Sequence, residues 1–276
     1  MKYIYKLSKI LLLGFVLIAS CTVDDGDTDP VEFTPKLGKA SIAILNTLTD
    51  TDDAGFTTVD IYADETKVMS GGTFGTFTSG YISYDYPQGT IFRATQGGTP
   101  PVYLSNPVPG IENNITNATV ASLLPEEHNA PLQGQLKSGG SYTVALLGNV
   151  NSFGFEVFVM VEDDLTAPVS GSKVRFLNAS IENCVSNSCI AAFSVNGTEL
   201  GRSDWGSQNG EAAFSSFVDV SDTSLNLVVS DPTDATELFT GSVDIPAGGI
   251  YTVVFLGDSF STVDGEGLQF KVFRHN

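Results

Sequence analysis

Basic residues are scarce in this sequence, with 13 Lys and Arg set against 32 Asp and Glu for a formal net charge of −19. Such a balance repels polyanions and excludes nucleic acid or an anionic lipid surface as a partner. Histidine is scarcer still. Only His128 and His275 occur, so neither a histidine-built metal site nor general acid/base chemistry centred on imidazole is well supplied. The three cysteines, Cys21, Cys184 and Cys189, are too few for a four-thiolate zinc site. No apolar run approaches the roughly 20 residues that a membrane-spanning helix needs. The run Ile10 to Ala19 near the amino terminus is ten residues long, and no later stretch makes up the difference. No cofactor-binding motif is present, and no catalytic residue is assigned.

What is present begins with an address. Lys2, Lys6 and Lys9 precede the apolar run, and Ser20 precedes Cys21, which is the layout of a secretory signal peptide over 1–20. Ile18-Ala19-Ser20-Cys21 resembles the lipobox of bacterial lipoproteins, which implies cleavage before Cys21 and lipidation of its side chain. Two or three acyl chains hold a protein stably at a membrane where one is marginal. Loss of the peptide removes three lysines and no acid, taking the net charge from −19 to −22. Residues 21–37 follow as an acidic tether, with Asp24, Asp25, Asp27 and Asp29 in a stretch too polar to bury. In lipoproteins of the Bacteroidota a similar acidic patch after the cysteine directs export to the outer face of the outer membrane, so the expected location is there, facing outward.

The rest of the chain repeats itself. SIAILNT at 41–47 and KVRFLNA at 173–179 share a Leu-Asn pair at an offset of 132 residues (177 − 45), and GGSYTVALLG at 139–148 matches GGIYTVVFLG at 248–257 at an offset of 109 (248 − 139). The difference of 23 residues (132 − 109) is extra chain in the first copy, falling at about 97–129. Each copy closes on an alternating segment, GFEVFVMVE at 154–162 and GLQFKVFRH at 267–275. A polar Pro- and Gly-containing linker between them gives two domains, 38–163 and 172–276.

Period-two alternation with β-branched and aromatic residues predicts strands at Ser41–Ile44, Val59–Tyr62, Tyr142–Leu146 and Tyr251–Phe255. Short strands and abundant turn residues, with 28 Gly and 12 Pro, predict an all-β fold of sandwich or barrel type. Only Thr119–Glu127 reads as a short helix. The segments KVRFLNAS, AAFSVNGTEL and DIPAGGIYTVVFLG resemble the repeat known as domain of unknown function 4397. The second copy matches along nearly its whole length, and the first matches at its ends. That resemblance implies two tandem immunoglobulin-like antiparallel β-sandwich domains in an extracellular setting, and it brings no catalytic residues.

Gly257-Asp258-Ser259 resembles the nucleophile block of GDS-type lipases and esterases. Those enzymes need a later Asp-x-x-His, whereas Val272 stands three positions before His275, and the first copy has Gly148-Asn149-Val150 at the same place. A turn accounts for both copies. The acidic loop 50–55 opens like a calcium loop, but Ile61 occupies the position of the required bidentate Glu. A looser calcium site or a solvated loop are the remaining readings. Cys184 and Cys189, with four residues between them in an oxidising exterior, are expected to form a disulfide that stiffens one loop. Tyr84, Tyr86, Tyr103 and Trp205 are the candidate ligand-binding aromatics, a stacking surface for sugar rings, and strand aromatics are otherwise core residues. The expectation for function is a non-enzymatic lipoprotein of the cell surface whose tandem sandwiches act as a binding or spacer module. Its partners are the membrane, through lipid on Cys21, and a surface glycan or protein. A glycan-binding accessory to an uptake system, and a glycan hydrolase or esterase, are the alternatives.

Overall fold

The computed structural model describes residues 38–49, 58–63, 66–86, 92–96, 102–103, 136–148, 157–180, 189–205, 210–259, 261 and 263–276. The signal peptide, the tether, the loop 50–55, nearly all of the 97–129 insertion with Thr119–Glu127, and His128 and Cys184 lie outside them. Residues Leu37–Asn276 form one compact unit.

The fold is all-β. The first copy supplies β1 (Gly38–Asn46), β2 (Val59–Ala63), β3 (Thr66–Gly72), β4 (Thr76–Phe77), β5 (Ile82–Tyr86), β6 (Phe92–Gln96), β7 (Val102–Tyr103), β8 (Ser141–Leu147) and β9 (Val157–Glu162). The second supplies β10 (Ser172–Asn178), β11 (Ile190–Val195), β12 (Thr198–Asp204), β13 (Val218–Val220), β14 (Ser224–Ser230), β15 (Glu237–Asp244), β16 (Ile250–Leu256) and β17 (Gln269–Arg274). A single helical turn, α1 (Gly210–Ala213), precedes β13. It was not expected from the sequence, and it carries Ala213 and Phe214 into the core.

Four sheets result. In the first copy β3-β2-β6-β7 packs on β4-β1-β8-β9, with β5 also paired to β1. In the second, β12-β11-β14-β15 packs on β13-β10-β16-β17. Ladders are antiparallel except β1 with β8 and β10 with β16, which run parallel. A parallel pair needs a long crossover, and each copy has one, because its other sheet is built between those two strands.

Strand alternation sends Ile42, Ile44, Val144 and Leu146 into the first sandwich core with Ile61 and Phe92. It sends Phe176, Val253 and Phe255 into the second with Phe193 and Leu227. The opposite faces of the same strands are buried as well. Ala43, Leu45, Ala145 and Leu147 meet Leu177, Val254, Leu256 and Phe273 in a third core, between the two sandwiches. The molecule is therefore a stack of four sheets, and the inner two are covered on both faces. That is why β8 and β16 are apolar on both faces apart from Ser141, Thr143 and Thr252: every residue of β16 is buried.

The register confirms the repeat residue by residue. Leu45 stands opposite Ala145 and Leu177 opposite Val254, and the same two offsets relate both pairs. The shared asparagines have one job: Leu48 N–H donates to Asn46 Oδ1 at 3.3 Å and Ser180 N–H to Asn178 Oδ1 at 3.1 Å. Asn46 Nδ2 donates to the Gly72 and Thr73 carbonyls and Asn178 Nδ2 to that of Cys189. Each asparagine thus pins the exit of its sheet to the strand facing it. The shared glycines Gly139 and Gly248 have φ of 81° and 82°, which side chains rarely tolerate.

Candidate functional site

The most concentrated chemistry among the described residues lies between the two sandwiches. Arg175, on the face of β10 turned toward the first copy, is 1 % exposed. A buried guanidinium requires a counter-charge and acceptors for its fork of donors. Asp163, directly after β9, supplies the charge with Oδ1 at 2.5 Å from Nη2. Nη2 also donates to Thr143 Oγ1 on β8 and Nε to Thr252 Oγ1 on β16, each at 2.8 Å. The rings of Phe214 and Phe217 lie 4.7 and 4.6 Å from the guanidinium carbon, so the cation also meets aromatic faces.

The hydroxyls pass these bonds on. Thr143 donates to Asp163 Oδ2 at 2.9 Å, and Tyr81, just before β5, donates to the same oxygen at 2.6 Å. Tyr81 Oη also lies 2.6 Å from His275 Nδ1, and Thr252 Oγ1 lies 2.8 Å from His275 Nε2. With the tyrosine hydrogen committed to Asp163, the imidazole Nδ1 must be the donor to Tyr81. With Thr252 already accepting from Arg175, its own hydrogen is free for Nε2. A neutral Nδ1-protonated imidazole therefore closes a ring of bonds that runs from Arg175 through both threonines to Asp163 and His275.

Electrostatics agree with that assignment. Burial, reinforced by the Arg175 charge, holds the His275 pKa down at about 2. Burial raises the pKa of Tyr81, and the Asp163 charge adds to the effect. Burial also pushes the Asp163 carboxyl up, while Arg175 and the Tyr81 and Thr143 hydroxyls pull it back. His275 and Asp163 side chains are fully excluded from solvent. With residues from both copies in it, this constellation joins the two halves.

The ring also obeys the internal repeat. Asp163 N–H bonds the Ser141 carbonyl and His275 N–H the Ile250 carbonyl, which are equivalent places at the 109 offset. Thr143 and Thr252 are equivalent in the same way, Ala43 answers to Arg175 at the 132 offset, and Tyr81 answers to Phe217 through the pairings of β5 and β13. Equivalent residues of the two copies meet each other, Asp163 against His275 at 4.0 Å. A pseudo-two-fold axis between the sandwiches requires that.

The sequence-derived sites fare unevenly. Tyr84 is 3 % exposed and packed in the first sandwich core. Its expected role as a stacking platform is corrected: alternation along β5 turns it toward Ile42 and Ile44. Trp205 is partly buried against the core between the sandwiches. Tyr86 and Tyr103 stand on β5 and β7, and their side chains lie outside the described residues. Cys189 is disulfide-bonded, and the expected partner Cys184 lies outside the described residues. Gly257 has φ of 103° and its counterpart Gly148 of 129°, so the Gly-Asp-Ser stretch is a turn that needs its glycine. Ser259 follows the end of β16, whereas His275 is bonded beside its start. The two are separated by the length of that strand, on the order of 20 Å. Among the described residues no group of three or more His, Cys, Asp or Glu side chains is placed to hold a metal ion.

No protein-family model matches this chain, and no curated protein matches it. Among solved structures, a candidate cell adhesion protein from Bacteroides eggerthii is 10% identical, with 87% of this chain and 96% of that chain covered at a TM-score of 0.20. A candidate polysaccharide-binding protein from Bacteroides thetaiotaomicron is 10% identical over 86% and 98% of the two chains at a TM-score of 0.21. A fimbrial assembly protein from Parabacteroides distasonis is 11% identical over 86% and 98% at a TM-score of 0.19. Scores this low do not establish a common topology.

Proposed function

We propose that this chain is a non-enzymatic lipoprotein of the outer cell surface, anchored in the outer membrane by lipid on Cys21, whose paired sandwiches form a stiff spacer for binding loops. The observation that carries the reading is the junction: a dedicated apolar core and a buried ion pair join the two sandwiches as one body. A spacer needs that stiffness, and an enzyme would need the polar cluster to be open to solvent. The lipobox and the acidic tether support the anchor and its outward orientation. Metabolic labelling with palmitate tests the anchor: the native chain takes up label and Cys21→Ser does not. Proteinase added to intact cells tests orientation, and full protection of the chain would refute a surface location.

A second reading, glycan capture for an uptake system, is supported by the extra chain at 97–129, which one copy carries and its sibling lacks. Function concentrates in such loops. Polysaccharide binding that disappears when 97–129 is trimmed supports it. Binding that survives the trim places the site elsewhere.

A further inference from the structure

We propose that the contact between the two sandwiches is an acid-sensitive clasp, closed by neutral His275 and loosened by its protonation while each sandwich keeps its own core. His275 sits at the centre of the junction, and every polar partner it has belongs to the junction. From the first copy Tyr81 and Asp163 face it, and from the second Arg175 and Thr252. Its rings of contact are aromatic, with Phe217 at 5.8 Å and Phe273 at 4.8 Å. Both imidazole nitrogens are committed, Nδ1 as donor to Tyr81 and Nε2 as acceptor from Thr252. A second proton on Nε2 would point a donor at a hydroxyl already receiving Arg175 Nε–H, and would place a cation beside the guanidinium. Among the described residues Asp163 is the anion in reach, and it is already paired with Arg175. Lys271 and Arg274, on the strand that leads to His275, are cations, engaged with the Gly75 carbonyl at 3.1 Å and over the Tyr251 ring at 6.0 Å, and bring no counter-charge for a protonated imidazole.

The proton is therefore excluded while the clasp is shut and admitted once it opens. Separation exposes an ordinary histidine, which titrates near 6.5. Each sandwich has a core of its own that owes nothing to the junction, so opening does not demand unfolding. The segment 164–171 provides the cut: Val169 is 94 % exposed.

The test is to place a protease recognition sequence at Val169 in the whole chain, cleave it, and measure association of the two pieces by sedimentation. At pH 7.5 the pieces stay together. Between pH 6.5 and 4.5 their Kd rises about 50-fold relative to His275→Gln, approaching tenfold for each unit, as expected when one proton binds only the separated form. Circular dichroism of the β-sheet holds constant over that range, and in His275→Gln, whose amide can bridge Tyr81 and Thr252, the rise disappears. A Kd that rises no more with acid in the native sequence than in His275→Gln overturns the proposal, because Asp163, whose carboxyl is shifted in the opposite sense, is common to both. So does loss of the β-sheet signal together with dissociation. Should the glutamine variant not fold, His275→Asn serves as the non-titrating reference in its place.

Discussion

Replacing Arg175 with methionine keeps much of the aliphatic stem between Phe214 and Phe217 and removes the charge, leaving Asp163 as an unpaired carboxylate that is fully excluded from solvent. Breaking one side of a buried ion pair in this way costs about 3–5 kcal/mol. The threonine hydroxyls lose a donor at the same time, but both can turn to other partners in the ring, so about 4 kcal/mol is expected. Pairing the change with Asp163→Leu removes the stranded charge. What remains is the loss of an acceptor for the Tyr81 and Thr143 hydroxyls, about 1 kcal/mol each, so the double variant should recover half or more of the stability. Urea unfolding at pH 7.5 of the native chain, both single variants and the double completes the cycle, and the coupling between the two sites, the two single losses less the double, should be about 5 kcal/mol. An Arg175→Met variant within about 1 kcal/mol of native, or a double variant less stable than that single one, would refute the view that the pair is desolvated and closes the junction.

Three further outcomes follow from other features. Because the folded state holds His275 at about 2, below its ordinary 6.5, protons favour the unfolded chain. Its stabilising share is complete above pH 6.5 and shrinks by about 1.4 kcal/mol per unit below that. Asp163, shifted upward, acts in the opposite sense, so the readout is native minus His275→Gln, which should fall by about 2.3 kcal/mol between pH 6.5 and 4.5 in urea titrations. Asn46→Ala and Asn178→Ala each leave a buried N–H and buried carbonyls unmatched, and each should lower stability by about 1–3 kcal/mol; thermal melts showing no change at either site would remove their shared role. Gly257→Ala forces a side chain onto a positive φ with its Cβ 2.3 Å from the Gly267 carbonyl oxygen, and the melting temperature should drop by several degrees, on the order of 2 kcal/mol or more.

Strand positions were legible because the segments carry their own signal: β-branched residues, alternation and flanking glycines locate β1, β2, β8 and β16. The repeat was legible too, since Leu45-Asn46 and Leu177-Asn178 sit at places where packing accepts few alternatives. The central junction was not. Asp163 reads as the first residue of a polar linker and His275 as the penultimate residue of a tail, and only the paired strands bring them together. Matching the closing segments by their leading glycines puts Glu162 level with His275, one residue away from the true equivalence of Glu162 with Arg274 seen in the ladders. In a strand, one residue is the difference between two faces. Tyr84 shows the converse: alternation placed it on one face of β5, but which face is core depends on β1 and its neighbours.

The place of Ala43 opposite its counterpart Arg175 has a consequence for how such chains can change. The ring between the inner sheets is built around one guanidinium and one carboxylate. A chain built from two first copies would set Asp163 against another aspartate with no cation to share. One built from two second copies would crowd two arginines and two histidines into the same dry space. The copies are therefore not interchangeable beads. Exchanging either copy for a duplicate of its sibling would leave each sandwich its own core but lose the junction between them, so the two halves must vary as a matched couple.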